Sequence, residues 1–220
     1  MHRAVLILLL AACGREREAA ARLFDEIKLD TAPGLSGLAV DATGGMWTMG
    51  EREHRAYRIS LDASNHPTLE TYEVEGTPAS FDLEGIAWLG GDQFALGTEG
   101  KVAGIATVLL AERRADSLVV TSTIELPAER LGVALPANHG AEGVCGAGTS
   151  IMVAIEGVGV ASGKRFAPIV RISDGQITAV HRLWLTTRTG KLSALDCSIG
   201  ADGTAQLLAV ERHFEVTKLL

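Results

Sequence analysis

The stretch DLEGIAWLGGDQFALGTEG, residues 82–100, contains two apolar runs on either side of a turn signal, with a glutamate near each end. A hairpin that turns at residues 90–93 brings its two ends together. Glu84 is therefore expected to face Glu99 across the strand pair. Like charges directly opposite each other destabilise a sheet. A hairpin of this kind needs a reason beyond folding for its two acids.

The same hairpin design recurs along the chain. Its four copies begin at Ser36, Glu84, Glu142 and Ser193, and their starts lie 48, 58 and 51 residues apart. A self-similar period of this length, built of short strand-like runs, is typical of a β-propeller. The first runs of the copies are apolar at nearly every position, as expected for strands that are buried on both faces.

We therefore predict an all-β protein, a β-propeller with four recognisable blade modules. Two further strand-like runs follow Glu51, Glu99 and Glu156, and they complete the first three blades. Residues 212–220 suffice for one more strand of the fourth blade. The N-terminal residues 22–30 are a candidate for its missing outer strand, which would close a small ring. The alternative is an incomplete part of a larger ring with a truncated C-terminus.

Acidic residues are expected to gather on one face of this propeller. The start of the first strand and the end of the second strand of each blade lie near the mouth of the central channel. Adjacent blades should bring together Asp82, Glu84, Glu99, Glu142 and Glu156. The first and fourth copies relieve the repulsion, since serine replaces the first acid and arginine follows the second, at Glu51-Arg52 and Glu211-Arg212.

Three explanations for the acids remain open. A hard cation such as Ca²⁺, which prefers several oxygen ligands, would neutralise them. Alternatively, one or more carboxyls would keep a proton with a raised pKa. In the third explanation the acids are structural: they accept backbone N–H groups and pair with Arg52, Arg212, His54 or His139.

The N-terminus has the layout of a secretory signal: a basic start, a short apolar run and a small-residue processing site. Its Leu-Ala-Ala-Cys ending resembles the bacterial lipobox, whose cysteine is lipidated. We predict a signal peptide at 1–12, a lipidated tether at 13–22 that begins with Cys13, and the propeller domain at 23–220. Because Gly14 follows the cysteine, the resemblance implies a periplasm-facing anchor in the outer membrane rather than the inner membrane.

The composition limits the choice of partners. The chain carries a formal net charge of −7, and an acidic surface argues against a nucleic-acid partner. An acidic surface suits a cationic ligand or simply keeps a monomer soluble.

Cys145 and Cys197 lie inside apolar stretches, and a secreted location permits a disulfide between them. Because they occupy similar places in separate repeats, we expect two buried free thiols.

Four segments in this order resemble the phytase-like family, known for esterase-like activity of phytase. They are LSGLAVD…GMWTMGER, DLEGIAWLGGDQFALGTEG, NHGAEGV…IMVAIEG and KLSALDC…LLAVERHF, and together they span residues 35 to about 214. The resemblance implies a secreted or periplasmic β-propeller that hydrolyses phosphoesters. The chain departs from the family pattern at Ser193-Ala194, where the family usually has Ser-Asp.

The resemblance leads to a specific hypothesis about the site. Glu84, Glu99 and Glu142 would hold Ca²⁺, Glu156 would be a further ligand or a catalytic base, and Arg212 would contact phosphate. Further candidates for the site are Asp82, Glu211 and His139. The partner would be a small phosphoester or another small molecule, and the membrane would be contacted only through the lipid anchor. The alternative is a non-catalytic propeller that binds a small ligand or an envelope protein.

Overall fold

The computed structural model describes residues 29, 31, 33–200 and 202–213, and the backbone of Thr217–Leu219. Strands dominate this part of the chain, and its one helix is the single turn α1, Ala128–Leu131. No helix of the described residues is long and apolar enough to cross a membrane. The predicted signal peptide and tether lie outside these residues, as does the strand predicted at 22–30 apart from Leu29.

The strands form four successive blades, so the predicted all-β propeller with four modules is confirmed. Blade 1 consists of β1 (Leu35–Val40), β2 (Met46–Gly50), β3 (Arg55–Leu61) and β4 (Pro67–Glu75). Blade 2 consists of β5 (Phe81–Gly90), β6 (Gln93–Gly100), β7 (Ile105–Arg114) and β8 (Ser117–Pro127). Neighbouring strands within each of these two blades are antiparallel.

The other two blades differ from this plan in strand number. Blade 3 consists of β9 (Ala141–Ala147), β10 (Ser150–Ile155), the short β11 (Gly159–Ala161), β12 (Lys164–Ser173) and β13 (Gln176–Trp184). Blade 4 consists of β14 (Lys191–Ile199), β15 (Ala205–Arg212) and β16 (Thr217–Leu219). The short β11 pairs with the start of β12 and was not predicted.

Blades 1 and 2 are not separate sheets. The outer strands β4 and β8 pair in parallel, with Glu73 opposite Ser117, and so join blades 1 and 2 into one eight-stranded sheet. An outer strand would otherwise expose a row of unpaired backbone groups. The pairing satisfies some of these groups for both blades.

The first strands of the four blades lie side by side around a shared space. Strand β1 packs beside β5, β5 beside β9, and β9 beside β14. These four strands line a cavity of about 630 Å³, which we call the central channel. The apolar core lies between the blades; Trp47 of blade 1, for example, has its ring centroid 4.7 Å from that of Phe94 in blade 2.

Glycines permit the close approach of these inner strands. A Cβ on Gly37 would lie 2.8 Å from the backbone nitrogen of Ile86, and one on Gly85 would lie 2.9 Å from the carbonyl oxygen of Glu142. A Cβ on Gly143 would overlap the backbone nitrogen of Leu195. The glycine that follows the first residue of each of these copies therefore packs against the backbone of the next blade.

Each inner strand also carries one extra residue near its start. Glu84, Glu142 and Ser193 have no partner in the register of their hairpins, and a similar shift occurs after Ser36. These are β-bulges, which bend a strand and redirect a side chain. A second register shift lies between Trp88 and Gly90, so the predicted pairing of Glu84 with Glu99 is wrong by two residues: Asp82 lies opposite Glu99.

The two cysteines form a disulfide, so the prediction of free thiols is wrong. Cys145 lies on β9 and Cys197 on β14, with Cα atoms 5.7 Å apart. The similar position of the two cysteines in consecutive copies is what brings them together, because consecutive inner strands are neighbours. The bond links blades 3 and 4 across the wall of the central channel, and such a cross-link constrains the unfolded chain.

The glycine contacts give a testable prediction for stability. Gly143→Ala should lower the free energy of unfolding by about 1–3 kcal/mol, because its new methyl group overlaps backbone that must move. Gly50→Ala is the control, since its methyl group would meet chiefly side-chain atoms of Glu53 at 3.3–3.4 Å. Urea unfolding measures both values. Equal stability of the two variants would contradict the close approach.

Candidate functional site

Carboxylates from blades 2 and 3 gather at the mouth of the central channel. Glu142 is a bulge residue of β9, Glu99 ends the apolar run of β6, and Glu156 directly follows β10. Each of the three offers a carboxylate oxygen, and these oxygens all lie within 4.8 Å of one another. We call these three residues the acidic cluster.

Two members of the acidic cluster share a proton. Glu99 and Glu142 are hydrogen-bonded to each other through their side chains. Burial raises the pKa of both carboxyls, and the negative charge of Glu99 helps to raise that of Glu142 to about 7. The hydrogen bond lowers the pKa of Glu99 and raises that of Glu142, so Glu142 is the partner that keeps the proton.

Glu84 stands beside the acidic cluster. The hydroxyl of Ser36 in blade 1 donates to its carbonyl oxygen at 2.8 Å and lies 3.1 Å from its carboxylate Oε2. Burial raises the pKa of Glu84 to about 8, and the charges of Glu142 and Glu99 act in the same direction. The Glu84 carboxyl therefore carries a proton at neutral pH in the absence of a bound metal ion.

Glu156 is the most buried member of the acidic cluster, with 2% of its side chain exposed. The ammonium group of Lys191 contacts its Oε1 atom. Its Oε2 atom is buried and has no hydrogen-bond partner, and Nε2 of His139 lies 3.9 Å from it. A buried carboxylate oxygen without a partner is energetically unfavourable and open to a ligand.

Lys191 was not among the residues nominated from the sequence. It begins β14, two residues before Ser193, at the position that Asp82 occupies before Glu84 and Gly140 before Glu142. The alignment of the four copies could have identified Lys191, because only the fourth copy has a cationic residue at this position. The structural explanation of the acids named four other cations, and the ammonium that contacts the acidic cluster comes from this fifth residue.

Glu211 has a structural environment. It is fully buried, and its carboxylate accepts hydrogen bonds from the backbone nitrogens and hydroxyls of Thr186 and Thr187. Burial raises its pKa, but these four donors outweigh burial and hold the pKa below its ordinary value. The carboxylate thus anchors the loop before β14, and that loop leads directly to Lys191.

The other nominated residues lie at the edge of the acidic cluster. Asp82 is half-buried opposite Glu99, and its charge contributes to the raised pKa of that residue. Arg212 is exposed at the end of β15, opposite Lys191, and its charge lowers the pKa of Glu142. Cys13 lies outside the described residues.

The distances and donor types of the acidic cluster are compatible with a bound calcium ion. Ca²⁺ binds oxygen ligands at about 2.3–2.6 Å, so two oxygens on opposite sides of one ion are about 5 Å apart. The oxygens of Glu99, Glu142 and Glu156 meet this condition. All the donors are hard carboxylate oxygens, and Oε2 of Glu156 has no competing hydrogen bond. The residues therefore fit a hard divalent cation.

Comparisons with known proteins find one matching sequence family and several similar solved structures. The sequence profile of a family described as phytase-like, esterase-like activity of phytase, matches residues 31–218. No curated protein sequence matches the chain.

Solved structures are similar only distantly. A protein of unknown function from Bacteroides caccae has 12% identity and a TM-score of 0.39 over 84% of this chain and 59% of that chain. Virginiamycin B lyase from Staphylococcus aureus has 12% identity and a TM-score of 0.38 over 86% of this chain and 57% of that chain. The chain thus spans less than two thirds of the length of either protein.

The raised pKa values predict how stability depends on pH without metal. The folded protein holds protons on Glu84 and Glu142 that the unfolded chain has released, so its stability should fall as pH rises from about 4.5 to about 8. Glu84→Gln should flatten this dependence, whereas Gln at the exposed Glu75 should leave it unchanged. Melting temperatures in chelator across this range provide the measurement. A wild-type melting temperature that rises throughout the range would contradict the assignment.

Proposed function

The chain belongs to the phytase-like family, and on this basis we propose that it is a Ca²⁺-dependent phosphoester hydrolase. Its site is the acidic cluster at the channel mouth. The observation that carries the proposal is the convergence of three carboxylates within 4.8 Å, one of them with a buried oxygen that lacks a hydrogen bond. Such an arrangement is costly for folding alone, and a cation makes it favourable.

The residues of the acidic cluster would hold the ion. Glu99, Glu142 and Glu156 supply hard oxygens from two adjacent blades, and the proton shared by Glu99 and Glu142 is what a cation would replace. Bound Ca²⁺ would supply positive charge that attracts and polarises a phosphate oxygen. Without this charge the acidic mouth would repel a phosphoester.

Neighbouring side chains suit the remaining tasks. Glu84 keeps a proton at neutral pH and lies beside the acidic cluster, so we assign it as the acid that protonates the leaving oxygen. This role differs from that of a metal ligand, and the raised pKa of Glu84 favours it, since burial and the charges of Glu142 and Glu99 outweigh the hydrogen bond from Ser36, which lowers that pKa. Arg212, exposed at the same mouth, is positioned to hold a phosphate oxygen through its guanidinium group.

A location in the bacterial cell envelope belongs to the same proposal. The lipobox-like N-terminus would anchor the chain through Cys13, facing the periplasm and in the outer membrane. The disulfide between Cys145 and Cys197 supports an oxidising compartment, since such bonds are rare in the cytosol.

One observation favours a second candidate function. The ammonium of Lys191 contacts Glu156 and so provides part of the neutralisation that a metal would provide. With that lysine in place, the site would suit a propeller without catalytic activity that binds a small ligand or an envelope protein. The two candidates differ in their response to calcium.

Calcium should raise the melting temperature of the wild-type protein and switch on hydrolysis of a chromogenic phosphate ester. The ion stabilises the folded state by mass action, by about 2.7 kcal/mol at a concentration 100 times its Kd. Magnesium should act more weakly, because it requires tight octahedral geometry. Glu142→Gln should raise the metal-free melting temperature above pH 7, because the folded wild-type protein must either hold a proton on Glu142 that the unfolded chain releases or bury its charge, and should abolish both calcium responses.

The exposed Glu75→Gln serves as the matched control and should respond to calcium like the wild type. A wild-type melting curve that is indifferent to both calcium and chelator would reject the metal site. Calcium stabilisation without hydrolysis would leave the non-catalytic function.

Cys13→Ala should abolish metabolic labelling with fatty acid and release the protein from the membrane fraction. The neighbouring Gly14→Ala should retain both properties, because the lipid is attached to the cysteine. Sucrose-gradient fractionation would then show in which membrane the wild-type protein resides. Persistent lipid labelling of the Cys13→Ala protein would disprove the anchor.

A further inference from the structure

The central channel begins at the acidic cluster and continues along the inner strands. Its volume is about 630 Å³, within the range of cavities that bind small molecules. Glu142 belongs to both places: its carboxylate is part of the acidic cluster, and the residue lines the channel. Whatever binds in the channel therefore has one end at the proposed reaction site.

The wall of the channel is mainly apolar. Its large apolar side chains include Leu38, Val40, Trp88, Val144, Leu195 and Leu208. Three of these are substantially exposed: Leu38 to 65%, Val40 to 56% and Leu208 to 45%. Large apolar side chains that face a shared concave space commonly mark a binding site.

Polar side chains of the channel are concentrated at its mouth. Glu142 and Ser193 stand there, at the bulge positions of β9 and β14, and Asp196 is an exposed residue farther along β14. Beyond the mouth, a polar ligand would exchange water for apolar contacts and lose hydrogen bonds without replacement. An apolar ligand would instead bury surface that both partners otherwise expose.

We propose that the central channel binds the apolar part of the substrate, so that the substrate is a phosphoester of an apolar alkyl or aryl alcohol. The phosphate lies at the acidic cluster and the apolar group extends along the inner strands. This inference rests on the proposed hydrolase function for the phosphate end, whereas the apolar end follows from the channel itself.

The binding of two homologous series tests the proposal by calorimetry on the full-length protein. The first series, n-butanol, n-hexanol and n-octanol without calcium, probes the channel alone. The second, inorganic phosphate, n-butyl phosphate and n-hexyl phosphate with calcium, probes the channel and the mouth together. Each buried methylene contributes about 0.8 kcal/mol, so Kd should fall about fourfold for every added carbon.

Filling the channel should remove this dependence on chain length. Val40→Trp places a large ring against one wall, and Leu208→Trp does so from the other wall if the first variant fails to fold. Val160→Trp is the matched control: Val160 is exposed to 71% on β11 and is not part of the channel wall. The control should keep the wild-type slope in both series.

The dependence of Kd on chain length shows whether the channel binds the apolar group. Graded affinity in both series that is lost in Val40→Trp or Leu208→Trp and kept in Val160→Trp supports the inference. A Kd independent of chain length, or an equal loss in the control, overturns it and leaves the calcium experiment to judge the hydrolase. Graded affinity for the alcohols with no binding of the phosphates overturns the substrate class, and the fault then lies with the proposed phosphate end.

Discussion

The close approach of neighbouring inner strands is the constraint on which the rest of the structure depends. Gly85 has no Cβ, so β5 lies directly against the backbone of β9, and Gly143 does the same for β9 and β14. At this separation the residues just before the glycines, Glu84 and Glu142, leave the regular register as bulges. The same contact that compacts the ring thus directs acids toward its axis, and it also places Cys145 beside Cys197.

Much of the fold could be predicted because the chain repeats itself. The four copies of one hairpin pattern predict the blades and their order. The resemblance of four separate segments to the phytase-like family predicts the family. Register was harder, since a bulge adds one residue without changing the pattern of apolar residues, and Glu84 was therefore paired with the wrong partner. The disulfide was missed for a related reason: equivalent positions in separate copies were taken to be distant, although consecutive inner strands touch.

The candidate site could also be predicted only in part, because the surroundings of each acid depend on packing between blades. The acids that carry the charge are visible in the sequence, but their division into different environments is not. Glu211 aligns with Glu99 and Glu156 as the acid after a second strand, yet Thr186 and Thr187 surround it with donors because of the loop before β14. Lys191 was overlooked because a single lysine before a strand is ordinary in sequence, and only the packing of blade 4 against blade 3 brings it to Glu156.

The acidic cluster uses two of the three ways by which a protein tolerates opposed carboxylates. Glu142 keeps a proton that it shares with Glu99, and Lys191 places an ammonium against Glu156. Neither device donates a hydrogen bond to Oε2 of Glu156, which is buried. A divalent cation would contact that oxygen and displace the shared proton in one step, so protons and cation should compete for the same place. Calcium affinity must then rise with pH through the range in which Glu142 and Glu84 lose their protons, whereas a site neutralised by Lys191 alone would show no such linkage.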